Sequence, residues 1–180
     1  MKRENAAPER FLPILQQALG NIREARSFED ERGFQGALLQ ELARQLERGV
    51  APDDPIIEEE YQKRIPAHGI RKRPDIIVHV PFDRGQVERR DQENFVAIEL
   101  KRRASAKKAR EAFGNLVSMA EVLKYPLTIF INVDSAETHH AICPGAIAGQ
   151  TVCFAVRLED GNPAVRSVRC AAAEDIREHQ

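Results

Sequence analysis

The chain has little of what marks a disulfide-linked, zinc-binding or membrane-spanning protein. Its three cysteines, Cys143, Cys153 and Cys170, form no CxxC pair, which argues against both a structural zinc site and a disulfide framework. We expect them to be reduced and mostly buried. The N-terminal segment lacks the apolar core of a signal peptide, and no apolar run approaches the roughly 18 residues of a membrane helix. The sequence therefore predicts a soluble, cytoplasmic protein.

Aromatic residues are also scarce, and the net charge is close to zero. Tryptophan is absent and tyrosine occurs twice, so a stacking surface for single-stranded nucleic acid is not indicated. The 27 Lys and Arg residues nearly balance the 28 Asp and Glu residues, and the net charge of -1 implies no class of partner by itself. Cations nevertheless cluster at 71–73 and between 101 and 110. Such local patches can contact phosphate groups on a protein that is neutral as a whole.

The length of the chain fits one domain with short additions at the ends. A hydrophobic fraction of 42% in 180 residues is enough for a substantial core. We predict an N-terminal helical extension over 1–28, a main domain over 29–170 and a polar C-terminal tail over 171–180.

Hydrophobic periodicity predicts an α/β fold. Apolar residues at helical spacing indicate helices within 9–25, over about 29–48 and over about 105–124. Runs rich in β-branched residues indicate strands over 55–65, 75–82, 95–103, 126–134, 151–159 and 164–170. The first three strands follow one another closely enough to form an antiparallel meander, and the strand after the third helix is expected to cross over to a parallel position. The order predicts a central mixed β-sheet flanked by helices.

Three polar side chains on the second and third strands fall at the same end of this sheet. Asp75 begins the second strand, and alternation places it on the same face as Ile77. Glu99 and Lys101 share a face of the third strand, where Glu99 interrupts an apolar run and is expected to enter the sheet interior with a partner. Because the chain reverses between the two strands, Asp75 is expected to lie close to Glu99 and Lys101.

Two carboxylates and a lysine in this arrangement suit metal-assisted hydrolysis. Mg²⁺ prefers oxygen ligands and often binds one or two protein carboxylates together with phosphate. Asp75 and Glu99 could be such ligands, with the backbone carbonyl of Leu100 as a third and Mn²⁺ as a substitute metal. Lys101 could orient the attacking water or stabilise the charge of the transition state.

The pattern Pro74-Asp75 followed by Glu99-Leu100-Lys101 resembles the PD-(D/E)xK nuclease superfamily. The resemblance implies a restriction-endonuclease-like three-layer sandwich, whose core of helix, three-stranded meander, helix and strand corresponds to about 29–133. It implies Asp75 and Glu99 as metal ligands, Lys101 as the catalytic lysine and Glu41, on the first core helix, as an auxiliary acid. It further implies a Mg²⁺-dependent nuclease acting on DNA more than on RNA. The sequence shows no separate recognition domain, so high sequence specificity would need a homodimer or a larger complex.

The basic residues around these positions are candidate phosphate contacts, because neutralising the nucleic-acid backbone supplies most non-specific affinity. They are Arg71, Lys72, Arg73, Arg102, Arg103, Lys107, Lys108 and Arg110.

Each feature also has a simpler explanation. Asp75 could cap a strand end, Glu99 and Lys101 could be a surface ion pair, and the cations could serve solubility. The whole chain could then be a catalytically silent nucleic-acid-binding or protein-interaction domain that keeps the fold. Of the remaining polar residues, Glu58 or Glu60 could face the site, while His79 is better explained by packing.

Overall fold

The computed structural model describes residues 10–45, 56–59, 74–79 and 94–171, and within these ranges it contains three α-helices, three short 3-10 helices and six strands. The α-helices are α1 (Phe11–Asn21), α2 (Glu31–Gln45) and α3 (Ala106–Leu123), and the 3-10 helices cover Ala25–Phe28, His140–Ile142 and Gly145–Ile147. The strands are β1 (Ile56–Glu59), β2 (Ile76–His79), β3 (Asn94–Arg102), β4 (Leu127–Val133), β5 (Thr151–Glu159) and β6 (Asn162–Arg169).

The strands form one mixed sheet in the order β1-β2-β3-β4-β5-β6. β1, β2 and β3 pair in antiparallel fashion, β3, β4 and β5 are parallel, and β6 returns antiparallel to β5. Parallel neighbours need a long connection, and α3 provides it between β3 and β4. The predictions of an α/β fold, an antiparallel meander and a parallel crossover strand are confirmed.

Helices α1 and α2 cover one face of the sheet. Leu15 of α1 and Phe34 of α2 are fully buried in the same cluster as Ile98 of β3 and Ile129 of β4. Helix α1, which we predict from the sequence to belong to an N-terminal extension, therefore contributes to the main core. The apolar cluster on this face contains more buried residues than the clusters on the opposite face. It therefore contributes the larger part of the hydrophobic stabilisation of the fold.

Helix α3 covers the opposite face. Phe113 packs against Phe130 of β4 with ring centroids 5.1 Å apart, and Met119 packs with Ile77 and Ala97 of the meander. The helix begins after Ser105, whose hydroxyl accepts a hydrogen bond from the Lys108 backbone N–H at 3.3 Å, as an N-cap residue does. Helices thus lie on both faces of the sheet.

The three cysteines converge beneath α3, although they lie far apart in the sequence. The sulfur atoms of Cys153 and Cys170 are 3.5 Å apart, and no disulfide joins them. The contact with Cys170, together with burial, raises the pKa of the half-buried Cys143 thiol. The prediction that the cysteines are mostly buried is confirmed, since Cys153 and Cys170 are buried and Cys143 is half-buried.

No helix in the described ranges is both long enough and apolar enough to cross a membrane.

Candidate active site

Asp75 lies immediately before β2, and hydrogen bonds fix both its backbone and its side chain. Its Oδ2 accepts the Leu100 backbone N–H of β3 at 2.6 Å. Its backbone carbonyl accepts Nε2 of Gln35, a buried residue of α2, at 2.7 Å. The carboxylate therefore satisfies a strand N–H beyond the end of the β2–β3 pairing, which explains why an aspartate occurs at this position. Burial, the largest contribution, and the nearby Glu31 raise the pKa of Asp75, although Lys101 opposes the change.

Glu99 lies in the middle of the sheet and is 1% exposed. Its Oε1 accepts Nδ2 of Asn115 from α3 at 3.3 Å, and its Oε2 lies 4.0 Å from Nζ of Lys101. Burial and the neighbouring Asp75 raise the pKa of Glu99 from 4.5 to about 8. The expectation that this acid enters the sheet interior and finds a partner is confirmed.

The Lys101 ammonium lies among four oxygen atoms. Its Nζ is 2.9 Å from Oε1 of Glu31, 3.6 Å from Oδ2 of Asp75 and 4.0 Å from Oε2 of Glu99, and it also donates to the backbone carbonyl of Leu100. Burial alone would lower the pKa of Lys101, but the surrounding carboxylates raise it above its usual value. We call Glu31, Asp75, Glu99 and Lys101 the acidic cluster, because three carboxylates face one ammonium.

Glu31 is the member of this cluster that the sequence analysis missed. It stands in the first turn of α2, and its Oε2 also accepts the Arg102 backbone N–H at 3.3 Å. An acid in the first turn is favourable because the helix N-terminus carries partial positive charge. This preference could have predicted that Glu31 lies at the start of a helix. The sequence does not show, however, that the start of α2 lies beside Lys101.

Glu41, the acid implied by the resemblance, lies elsewhere. Ten residues separate it from Glu31, which at about 1.5 Å per residue corresponds to about 15 Å along the helix. Its carboxylate pairs with Arg44 at 2.5 Å and accepts Nδ2 of Asn21 at 3.3 Å. It lines an open cleft of about 770 Å³ between the end of α1 and α2, a cleft that the acidic cluster does not line. The structure therefore places Glu31, and not Glu41, beside Lys101.

The arginines that follow Lys101 form a second cluster of charges. Arg102 Nη2 and Arg103 Nε each lie 2.8 Å from Oδ2 of Asp134, at the end of β4, and Arg102 Nε also donates to the Phe28 carbonyl at 2.6 Å. We call Arg102, Arg103 and Asp134 the arginine cluster. Its contacts tie the end of β3 to β4, so the arginines predicted to contact phosphate also have a structural role.

The turn between β3 and α3 is held by one hydrogen bond to β4 and one to the loop that follows β4. The Ala104 N–H donates to Oδ1 of Asn132 at 2.9 Å, and the Ala104 carbonyl lies 2.8 Å from Nε2 of His139. These two hydrogen bonds fix the backbone of Ala104, and so they fix the turn that connects Lys101 to the start of α3.

The other predicted phosphate contacts divide between exposed residues and residues outside the described part of the chain. Lys107, Lys108 and Arg110 are exposed on the first two turns of α3, whose first turn contains no acid. Arg71, Lys72 and Arg73 lie outside the described residues, as does Glu60, and the side chains of Glu58 and His79 are likewise not described.

The oxygen atoms of the acidic cluster are suited to a hard divalent cation. Three carboxylates and the Leu100 carbonyl are the ligand types that Mg²⁺ and Mn²⁺ accept. Within the described ranges, however, no three side chains of Asp, Glu, His or Cys are spaced so that they could hold a metal ion in their present conformations. An ammonium group lies between the carboxylates instead. The ligand chemistry fits, but the side chains would have to rearrange around a cation.

No protein-family model matches this chain, and no curated protein or solved structure shows significant similarity to it. The resemblance to the PD-(D/E)xK superfamily therefore depends on Asp75, Glu99 and Lys101 and on the order of the elements around them.

Proposed function

We propose that this protein is a Mg²⁺-dependent nuclease with a restriction-endonuclease-like fold of the PD-(D/E)xK type, and that it hydrolyses phosphodiester bonds in DNA. The observation that carries the proposal is the acidic cluster, in which three carboxylates, from α2, from the residue before β2 and from β3, meet around a single ammonium. The pKa of Glu99 is raised first by burial and then by Asp75, so ionisation of this carboxyl would be favoured by more positive charge nearby than Lys101 supplies. A bound cation would supply that charge.

The roles of the residues follow from their positions. Asp75 and Glu99 would hold Mg²⁺ together with the Leu100 carbonyl, and Mn²⁺ could take its place. When bound, Mg²⁺ polarises a phosphate oxygen and lowers the pKa of a coordinated water. The Lys101 ammonium can donate to the attacking water or to the phosphate oxygen on which charge develops. Gln35 and Asn115 hold the Asp75 backbone and the Glu99 carboxylate in place.

The exposed cations at the start of α3 support nucleic acid as the substrate. Lys107 and Lys108 stand in the first turn of a helix, where positive side chains are unfavourable beside the positive end of the helix dipole. A phosphate at this position would compensate the positive charge of these side chains. The turn that carries them starts directly from β3, the strand of Glu99 and Lys101.

Cleavage is tested by incubating supercoiled plasmid, linear duplex, single-stranded DNA and RNA with Mg²⁺ or Mn²⁺. We expect the wild type to cut DNA, and Asp75→Asn and Glu99→Gln to reduce the rate by about 100-fold or more, as losses of groups that stabilise transition-state charge do. Glu41→Gln, a matched change outside the acidic cluster, is expected to keep the wild-type rate. A wild-type protein that cuts none of these substrates with either metal would refute the proposal.

Binding is tested with the double variant Lys107→Ala/Lys108→Ala and a labelled DNA duplex over a range of salt concentrations. If both side chains neutralise phosphates, the slope of log affinity against log salt should fall by about 2. Lys124→Ala, which removes a lysine at the opposite end of α3, provides the control. An unchanged slope in the double variant would remove the start of α3 from the binding surface.

A second candidate function is a catalytically silent nucleic-acid-binding or protein-interaction domain. The observation in its favour is that the Lys101 ammonium already pairs with the carboxylates that a metal would need. In such a domain the acidic cluster is a structural ion-pair network. This alternative predicts that neither Mg²⁺ nor Mn²⁺ changes the melting temperature and that no substrate is cut.

A further inference from the structure

The Lys101 ammonium occupies the position between the oxygen atoms that a divalent cation would use. It donates to the Leu100 carbonyl and to Glu31, at 2.9 Å for the latter, and it lies 3.6 Å from Asp75 and 4.0 Å from Glu99. Two cations this close to the same carboxylates repel each other, and the repulsion is strong at a site largely shielded from water. The ammonium and the metal therefore cannot both keep these contacts.

Among the carboxylates, Glu31 lies nearest to the ammonium and is the most exposed of the three. Its side chain is 39% exposed, compared with 21% for Asp75 and 2% for Glu99. The Lys101 side chain is itself 23% exposed, and its nearest carboxylate, Glu31, is the one most open to solvent. A movement toward Glu31 would release the Leu100 carbonyl, Asp75 and Glu99 while keeping the Glu31 ion pair.

We infer that the Lys101 ammonium and a divalent cation are alternative occupants of this site, and that Glu31 sets the balance between them by holding Lys101 on the outer side. Glu31 is on this view a positioning residue that acts through Lys101 and is not itself a metal ligand. The inference rests on the metal site of the proposed function and adds how that site is regulated. Lys101 would thus lower the affinity for the metal that its own catalytic role requires.

Titration calorimetry with Mn²⁺ on the full chain tests this directly and does not depend on cleavage. Lys101→Met keeps most of the side-chain volume and removes the charge, and we expect it to bind Mn²⁺ at least about tenfold more tightly than the wild type. Glu31→Gln should bind Mn²⁺ several-fold more weakly, because Lys101 loses its outer partner. Lys101→Gln serves as a second uncharged variant, and circular dichroism without metal verifies that each variant is folded.

The double variant Glu31→Gln/Lys101→Met separates the two possible roles of Glu31. If Glu31 acts only through Lys101, the double variant should bind Mn²⁺ as tightly as Lys101→Met alone. If Glu31 is a direct ligand, the double variant should bind Mn²⁺ more weakly than Lys101→Met, which would overturn the assigned role of Glu31.

The outcomes also distinguish this inference from the proposed function. If both uncharged Lys101 variants bind Mn²⁺ no more tightly than the wild type does, the proposed competition is overturned. The nuclease proposal would still stand in that case, provided that the wild type cuts DNA. A wild type that binds Mn²⁺ and shows the expected order of affinities but cuts no substrate would support the competition and refute the nuclease. Absence of Mn²⁺ binding in every variant would overturn both.

Discussion

Lys101 and Arg102 are neighbours on β3, yet they belong to clusters with opposite charge balance. In the acidic cluster three carboxylates surround one ammonium, whereas in the arginine cluster two guanidinium groups share the single carboxylate of Asp134. The alternation of side chains along the strand separates them, because consecutive residues point to opposite faces. One cluster therefore has an excess of negative charge that suits a cation, and the adjacent one has an excess of positive charge that suits a phosphate.

The two clusters also differ in burial, which decides how much each interaction contributes. The side chain of Glu99 is 2% exposed in the acidic cluster, whereas the side chain of Arg103 is 66% exposed in the arginine cluster. Charges that are shielded from water interact strongly and are costly to leave unpaired, whereas exposed pairs contribute little and are screened by salt. Stability should therefore be far more sensitive to changes in the acidic cluster.

The largest effect on stability is expected from removing the cation of the acidic cluster. Lys101→Ala leaves three carboxylates facing one another, and without metal we expect it to lower the free energy of unfolding by about 1–3 kcal/mol, less than for a fully buried pair because Lys101 is partly exposed. Denaturant unfolding in EDTA measures the change. Lys107→Ala, an exposed lysine on α3, should change it by less than about 0.5 kcal/mol. Equal effects of the two substitutions would contradict the distinction between buried and exposed charges.

The protonation of Glu99 should give stability a pH dependence. Burial and Asp75 raise its pKa to about 8 in the folded protein, compared with 4.5 for an ordinary glutamate. Between these values the folded state binds the proton more tightly than the unfolded state does, so this contribution to stability is complete below pH 4.5 and is lost as the pH rises through about 8.

Glu99→Gln should remove this contribution. We expect its melting temperature in EDTA to fall less steeply than that of the wild type as the pH rises from 5 to 9, a range that lies above 4.5 and includes the folded-state pKa of about 8. Glu41→Gln should keep the wild-type slope. A Glu99→Gln slope that equals the wild-type slope would show that Glu99 is already ionised in the folded protein.

The smallest effect is expected in the arginine cluster. Asp134→Asn removes the shared carboxylate, and because Arg102 and Arg103 are partly or largely exposed we expect a loss of stability of about 1 kcal/mol or less that decreases as salt is added. Thermal melting at low and high salt measures it. A loss as large as that of Lys101→Ala would mean that the arginine cluster is as important to the fold as the acidic one.

Much of the site could be predicted from the sequence because short-range rules govern it. Alternation along β3 sets Glu99 and Lys101 on one face, and the reversal between β2 and β3 returns the chain so that Asp75 meets them. The break in the apolar pattern of "VAIEL" identified Glu99 as a buried acid. These inferences need only the period of a strand and the direction of its neighbour.

The partners from other elements could not be predicted in the same way. Both Glu31 and Glu41 are acids on α2, and their positions in the sequence do not reveal which end of the helix crosses the end of β3. Asn132 belongs to the strand reached by the crossover and Asp134 directly follows that strand, and their contacts with Ala104 and Arg102 depend on the parallel register between β3 and β4. The meeting of Cys153 and Cys170 depends in the same way on the pairing of β5 with β6.

The sequence by itself determined the strands, the helices and the placing of Asp75, Glu99 and Lys101 at one end of the meander, because residues close along the chain obey fixed periods of 2.0 and 3.6. Only the tertiary structure decided that Glu31 completes the cluster, that Lys101 lies among the carboxylates and that Arg102 and Arg103 share Asp134. The physical reason is that these contacts join elements whose relative position is set by the packing of α2 and α3 on opposite faces of the sheet.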